Sequence, residues 1–222
     1  MKSLIIKKFE TISLLFTALI MSSFLLIFRI KLNKSFFYLF LIWNIVLAFI
    51  PYIITMYLTT TTLTKFKLGF WFCIWLLFLP NAPYIVTDFL HLKVSQSHLL
   101  WLDILVLLSF AGTGLLLFFF SVNDMKSIIS EHFKNVPIRY LTTVIIFLCG
   151  FGVYLGRFLR YNSWEMISNP LNLLSDIIDV IIHPVNNSEV WLFTFGYGVF
   201  LYVSYRMFNE LYHHHQHNPE DN

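Results

Sequence analysis

The sequence predicts an all-α protein, a polytopic membrane bundle of about six transmembrane helices with one short helix lying in the membrane interface. Apolar residues make up 58% of the 222 residues and charged residues only 12%, with a mean hydropathy of +0.72. These values exceed what a soluble domain of this length carries. The apolar residues also form runs of about 20 residues, the length that a helix needs to cross a bilayer. We therefore expect a multi-pass integral membrane protein.

The apolar runs define the predicted spans. The first run follows three lysines and precedes a second basic cluster at 29–34. It is predicted to be a transmembrane helix rather than a signal peptide, because it is long for a signal core and has no small-x-small cleavage site. The predicted spans cover residues 11–28, 36–58, 68–86 or slightly beyond, 99–120, 138–158 and 189 or 190 to 208.

The connection at 161–188 is the only long one between predicted spans. Its segment LNLLSDIIDVII places leucines and isoleucines on one side and Asp176 and Asp179 on the other, which predicts a short interfacial helix over 171–182. We expect residues 1–211 to form a single membrane-embedded domain and the polar residues 212–222 to be a disordered tail.

Basic residues set the predicted orientation in the cell membrane. One side carries nine of them and the other six, which favours cytoplasmic termini, although the cluster at 29–34 opposes the bias. The nine are Lys2, Lys7, Lys8, Lys65, Lys67, Lys126, Lys134, Arg139 and Arg206. The six are Arg29, Lys31, Lys34, Lys93, Arg157 and Arg160.

The net charge of +3 comes from basic residues near the ends of apolar runs, where they act as topology determinants. No run interleaves basic residues with exposed aromatic ones, so a nucleic-acid partner is not expected. Membrane lipids are the expected surroundings. Cys73 and Cys149 lie inside apolar runs without a CxxC neighbour and are predicted to be small buried hydrophobes. The sequence indicates no particular cofactor.

The stretch WLLFLPNAPYIVTDFLHL at 75–92 combines helix breakers with polar groups. Pro80 and Pro83 have no amide hydrogen, so the carbonyls of Leu76 and Leu79 are expected to lose their helical donors. Asn81 is the available local donor. At membrane depth such groups must meet protein or water in a cavity. The stretch is therefore predicted to be either a polar site or a proline kink capped by Asn81.

Asp88 and His91 follow this break at a spacing of three, which puts them on one face of a helix. Such a pair can hold a cation or pass a proton. Two ligands do not make a metal site and no zinc motif is present, so we predict no metal. The alternative is that both residues form local hydrogen bonds at the interface. Asp103 is expected to be a helix-start carboxylate favoured by the helix dipole.

Arg157 at the end of the fifth span, and Arg160 and Glu165 just after it, are predicted to lie on the same membrane face as Asp88. The arginines either reach for lipid headgroups or pair with Asp88 or an anionic substrate group. The predicted polar site comprises Asn81, Asp88, His91, Arg157, Arg160 and Glu165.

Small residues recur on the predicted spans and favour close helix packing, including contacts in a homo- or hetero-oligomer. The pairs are Gly152 with Gly156, Ser109 with Thr113, and Thr194 with Gly198. The sequence also contains an internal echo, W-x7-P-Y-I-I-T at 43–55 and W-x7-P-Y-I-V-T at 75–87. It predicts either an inverted pair of the transporter kind or a chance match of aromatic-rich sequence.

Two motifs, LFLPNAPYIVTDFLHL at 77–92 and YLGRFLRYNSWE at 154–165, resemble those of the bacterial integral-membrane family known as domain of unknown function 1361. The resemblance runs from the second span to the sixth and implies a multi-pass bacterial membrane protein. Tyr161 stands where the family motif has a tryptophan. The resemblance implies no activity, so no catalytic residue is assigned from it.

Three classes of function remain open. An enzyme or binding protein acting on a lipid-linked or extracytoplasmic substrate would need a cavity open to one face. A transporter of a small solute or ion would need a polar path that reaches both faces. A structural or assembly subunit of a membrane complex would need neither. The gathering of polar residues on one face favours the first class slightly.

Overall fold

The computed structural model describes residues 8–94, 97–161 and 170–217, which are helical or in short connections, with no strand among them. Five of the described helices are long and apolar enough to cross a membrane. They are Phe9–Asn33, Phe37–Leu58, Lys65–Lys93, Leu100–His132 and Ile138–Arg157. The predicted all-α class is confirmed. The chain forms two compact units, Met1–Lys134 and Asn135–Asn222.

The first unit contains α1 (Phe9–Asn33), α2 (Phe40–Leu58), α3 (Lys65–Phe78), α4 (Asn81–Tyr84) and α5 (Leu100–His132). Short 3₁₀ helices lie at Phe37–Leu39, Ile85–Val94 and Ser97–Leu99. The second unit contains α6 (Ile138–Arg157), α7 (Pro170–Ile182) and α8 (Ser188–His217).

Helix α5 is the central element of the first unit, because α1, α2, α4 and the 3₁₀ segment Ile85–Val94 all contact it. It runs to His132, beyond the end at 120 that the sequence predicts. Its extension buries Met125, Ile128 and Ile129 at helical spacing, so an amphipathic continuation follows the apolar span.

Ion pairs join α1 to α5 near both ends of α1. Lys8 Nζ pairs with the carboxylate of Asp124, and Arg29 Nε donates to Asp103 Oδ1 at 2.8 Å. Lys8 and Arg29 are as far apart in the sequence as Asp103 and Asp124 are. On a helix that rises 1.5 Å per residue, this separation is about 31 Å. This distance matches a hydrocarbon core about 30 Å thick. The pairing therefore shows that α1 and α5 are antiparallel, with one ion pair near each end of the shared span.

In the second unit, α6 and α8 pack closely through small residues. A Cβ at Gly150 would lie 3.1 Å from the carbonyl oxygen of Thr194, and one at Gly198 would lie 2.6 Å from the Phe147 ring. The predicted packing surface of Thr194 and Gly198 thus has its partner on α6. Helix α8 lies outside the five apolar candidates, so its membrane crossing stays a prediction. It also continues to His217, inside the stretch predicted as a tail.

Helix α7 has the predicted amphipathic pattern. Leu171, Leu174 and Ile178 are exposed on one side of it, and Asp176, also exposed, accepts a hydrogen bond from the Tyr161 hydroxyl at 2.7 Å. The interfacial placement of the helix stays a prediction, because it depends on where the membrane lies.

Candidate functional site

The proline break between α3 and α4 rearranges the carbonyl partners. The amide of Ala82 donates to the Leu79 carbonyl at 3.2 Å, a contact three residues back instead of four. This shift leaves the Phe78 carbonyl without its helical donor, and Asn81 Nδ2 donates to it at 2.9 Å. The sequence correctly predicts Asn81 as the local donor. The Leu79 carbonyl lacks the donor four residues on, as predicted, because that residue is Pro83, and the tighter turn supplies the Ala82 amide in its place.

The segment after the break is a ten-residue 3₁₀ helix, Ile85–Val94. Runs of this length are uncommon, and they often mark hinges or strained functional segments. With three residues per turn, side chains at i and i+3 are aligned, which places Asp88 directly beside His91. The distance between His91 Nε2 and Asp88 Oδ1 is 3.9 Å. The predicted pairing of these two residues on one face is confirmed.

Helix α2 supplies the facing side of the site. Asn44 Nδ2 donates to Asp88 Oδ2 at 2.8 Å, and the Phe40 ring lies 4.9 Å from the His91 ring. Four residues on an α-helix and three on a 3₁₀ helix both span about 6 Å, so the two pairs of side chains match in register. Asn44 is a site residue that sequence reasoning missed, because its partner is far away in the chain.

Asp88 and His91 differ in how much of each side chain is buried. The Asp88 side chain has no exposed surface, whereas the His91 side chain is 35% exposed. The separation of 3.9 Å between His91 Nε2 and Asp88 Oδ1 is longer than a hydrogen bond but short enough for strong electrostatic coupling. Asp88 and His91 are close enough to interact electrostatically, and the exposed third of the His91 side chain leaves room for a second group to approach it. The arrangement is therefore suited to proton transfer or to binding a hydrogen-bonding group.

The remaining predicted site residues belong to the second unit. Arg157 is the last residue of α6 and is half-buried, and Arg160 is exposed. The backbone of Arg160 is left-handed, with φ of 61°, and the Tyr161 amide donates to the Leu155 carbonyl at 3.1 Å. Arg160 thus occupies a helix-ending position that usually favours glycine. Glu165 lies outside the described residues. Pairing of Asp88 with either arginine stays a prediction.

Arg29 and Asp103 form a second polar cluster in the first unit. Their side chains are 4% and 0% exposed. The sequence correctly predicts Asp103 in the first turn of a helix. It does not predict the ion pair, although the topology that it predicts assigns both residues to one membrane face. Among the residues that the structure describes, no three His, Cys, Asp or Glu side chains are grouped to hold a metal.

The internal echo has a local structural counterpart. The Thr55 hydroxyl donates to the Tyr52 carbonyl at 2.9 Å, and the Thr87 hydroxyl donates to the Tyr84 carbonyl at 2.6 Å. The tryptophans differ, because Trp75 is buried and donates to Ser121, whereas Trp43 is exposed. The similarity thus covers the P-Y-x-x-T turns, and an inverted pair stays a prediction.

Residues 43–204 match the family described as "Protein of unknown function (DUF1361)". The chain belongs to this family. No curated protein and no solved structure matches the chain. The DUF1361 match includes the proline break, Asn44, the Asp88–His91 pair and Asp103. Helix α1 with Arg29, and the aromatic side chain of Phe40, precede it.

Proposed function

We propose that this membrane protein binds a lipid-linked or extracytoplasmic molecule at the Asp88–His91 pair. If the protein is an enzyme, the bound molecule is processed there. One observation carries the proposal: a fully buried carboxylate lies 3.9 Å from an imidazole that is one-third exposed. A buried carboxylate near the hydrocarbon region is costly, and such residues commonly mark functional sites. The exposed imidazole is then the group that meets the ligand.

The chemistry of the pair follows from its geometry. Nε2 is the His91 nitrogen that lies 3.9 Å from Asp88 Oδ1, and about one-third of the His91 side chain is exposed. In the tautomer that carries the proton on Nε2, Nδ1 is the ring nitrogen able to accept a hydrogen bond from a hydroxyl, amine or water. Asn44 holds Asp88 from the other side through its amide. His91 is thus the proposed proton acceptor, and Asp88 and Asn44 orient it.

Arg157, Arg160 and Glu165 enter the proposal through the predicted topology, which brings them to the same membrane face. A guanidinium binds a phosphate or carboxylate bidentately, so the arginines are proposed to bind the anionic headgroup of the ligand. Glu165 is proposed as an additional polar group of the site. The proposed orientation has both termini in the cytoplasm, which makes the site extracytoplasmic.

Binding of defined amphiphiles tests the proposal. The protein in nanodiscs would be titrated with phosphatidylethanolamine, phosphatidylglycerol and a polyprenyl phosphate, and bound species counted by native mass spectrometry. Asp88→Asn and His91→Gln should each weaken binding of at least one amphiphile about tenfold, as expected for the loss of a charged hydrogen-bonding group. His132→Gln is the matched control, because His132 bonds the Ile128 carbonyl near the far end of α5. Unchanged binding in both site variants would refute the proposal.

Transport is a second candidate, favoured by the buried polar groups along α5. Asp103, Ser109, Thr113 and Ser121 are all buried, and Asp124 near the far end accepts from Thr55 at 3.4 Å. A path lined by these polar groups would let an ion cross the membrane from one face to the other. Proton and potassium flux into liposomes containing the protein would support transport over one-sided binding.

A further inference from the structure

An aromatic turn, made of Phe37, Tyr38 and Phe40, lies between the Asp88–His91 pair and the Arg29–Asp103 ion pair. On the His91 side, the Phe37 ring is 5.8 Å away in an edge-to-face arrangement and the Phe40 ring is 4.9 Å away. Tyr38 contacts both rings, at 5.1 Å from Phe37 and 6.1 Å from Phe40, and the two phenylalanine rings also contact each other at 6.0 Å. The orientation of the His91 ring therefore depends on where this turn lies.

Arg29 contacts the other side of the aromatic turn. Its guanidinium carbon lies 4.5 Å from the centre of the Tyr38 ring, and Nη1 donates to the Ser35 carbonyl at 2.9 Å. Nε donates to Asp103, and the whole residue is only 3% exposed. A buried guanidinium over an aromatic face is a strong form of the cation–π contact, because water does not compete with it.

The aromatic turn depends on such external contacts for its position. It begins as a three-residue 3₁₀ helix, Phe37–Leu39, in which the Phe37 amide donates to Ser35 Oγ at 3.3 Å. Single short turns of this type have poor hydrogen-bond geometry and little stability of their own. Arg29 holds both the Ser35 carbonyl and the Tyr38 ring, and Asp103 holds Arg29.

We propose that Arg29 and Asp103 are positioning residues for His91 and act on it through the aromatic turn. The proposal rests on the proposed function for the importance of His91, but the physical link is independent of any ligand. It extends the site to α1, which precedes the part of the chain that matches the family. Displacement of Tyr38 would release Phe37 and Phe40 and allow the His91 ring to turn away from Asp88.

The test compares two conservative exchanges in the two ion pairs that join α1 to α5. Arg29→Lys keeps the charge beside Asp103 but loses the planar fork that reaches Ser35 and stacks on Tyr38. Lys8→Arg makes the reverse exchange in the ion pair with Asp124 and serves as the matched control. Tyr38→Leu removes both the stacking ring and the hydroxyl beside Asp103, whereas Tyr38→Phe removes the hydroxyl and keeps the ring.

Two measurements report on His91 in nanodiscs. Mass spectrometry gives the rate at which diethyl pyrocarbonate modifies His91, and NMR of ¹³C-histidine protein gives its ring shifts, assigned with His91→Gln. Arg29→Lys and Tyr38→Leu should raise the modification rate about threefold or more and move the ring shifts, because the aromatic contacts that shield the imidazole are lost. Tyr38→Phe and Lys8→Arg should match the wild type.

The outcomes separate this inference from the proposed function. Wild-type rates and shifts in both Arg29→Lys and Tyr38→Leu would overturn it, as would an equal change in Lys8→Arg, which would indicate general loosening of α1. If Asp88→Asn and His91→Gln lose amphiphile binding while Arg29→Lys leaves His91 unchanged, the function stands and the inference fails. If Arg29→Lys displaces His91 while Asp88→Asn and His91→Gln still bind amphiphiles, the inference stands and the proposed function fails.

Discussion

A Cβ atom added to Gly114 of α5 would lie 2.5 Å from the carbonyl oxygen of Ala82. This separation is too short for a nonbonded carbon–oxygen contact, so the proline break can approach the central helix only where a glycine stands. The same Cβ atom would lie 3.1 Å from the Ile85 side chain. Gly114 therefore sets the depth at which the break, and the polar segment after it, pack against α5.

Gly114→Ala is expected to destabilise the protein by about 1–3 kcal/mol, the usual effect of overpacking a core against groups that cannot move freely. Gly112→Ala is the matched control, because a Cβ there meets nothing within 4 Å. The control should be neutral or slightly stabilising, since alanine favours a helix over glycine by about 0.5–1 kcal/mol. Thermal unfolding in a single detergent would compare them. Equal effects of the two variants would contradict the assigned role of Gly114.

Sequence reasoning reached the helical class, five helices long and apolar enough to cross a membrane, and the proximity of Asp88 and His91, because these depend on composition and on short spacings within one segment. The exact partners at the break were not accessible in this way. Whether the Leu79 carbonyl is free depends on whether the Ala82 amide bonds three or four residues back, and both turns suit the same sequence.

The contacts that join different segments were also beyond the sequence. Asn44 sits in an apolar run and shows no sign of its partner Asp88, and Arg29 belongs to a cluster that resembles an ordinary topology signal. A signal was nevertheless present for Arg29. A cation and an acid assigned to one membrane face by two different spans are expected to pair where both are buried, because an isolated buried charge is costly.

Topology gives a second prediction. Reporter fusions placed after Phe208 and within residues 169–187 should report opposite compartments, because α8 is predicted to cross the membrane between them. Alkaline phosphatase and a fluorescent protein provide complementary readouts. The same compartment at both positions would exclude a crossing by α8, and the long connection would then have to be assigned to the other face.

A third prediction concerns close packing in the second unit. Gly198→Ala places a Cβ 2.6 Å from the Phe147 ring and should lower stability by about 1–3 kcal/mol unless the ring moves aside. Gly196→Ala, two positions away on α8, meets nothing within 4 Å and is the control. Thermal unfolding in detergent measures both. A neutral Gly198→Ala would show that the Phe147 ring yields and that α6 and α8 tolerate greater separation.

The turn between α7 and α8 gives a pH-dependent prediction. Side-chain hydrogen bonds from Asn187 and His183 lower the pKa of Asp179 below its ordinary value of 3.8. Because the folded-state pKa is the lower one, these contacts stabilise the turn above pH 3.8 and lose that effect as the pH falls through the folded-state value. Asn187→Ala should raise the pKa of Asp179 toward 3.8, and Asn186→Ala should not.

Carboxyl ¹³C NMR titration of the two asparagine variants measures this difference directly. The Asn187 amide lies 3.2 Å from Asp179 Oδ2 and is the largest cause of the lowered pKa. An unchanged Asp179 titration in Asn187→Ala would show that His183, at 2.9 Å, holds the carboxylate without it.

The last prediction distinguishes a working break from a simple kink. Asn81 Nδ2 caps the Phe78 carbonyl at 2.9 Å, and Asn81→Leu would leave this carbonyl without that donor. An uncapped carbonyl away from water costs about 1–3 kcal/mol, so the break should shift to recover a partner and displace the segment that carries Asp88 and His91. Asn81→Ser is the matched control, because its hydroxyl can donate to a carbonyl three residues back.

Amphiphile binding in nanodiscs, measured beside membrane insertion, decides between these roles of Asn81. Asn81→Leu should lose binding while the amount of inserted protein stays at the wild-type level, and Asn81→Ser should retain both. Since one proline already bends a helix, a second proline and an amide between them indicate a geometry needed for more than bending. Wild-type binding in Asn81→Leu would reduce the break to a kink, because the site would then be indifferent to how its supporting turn is closed.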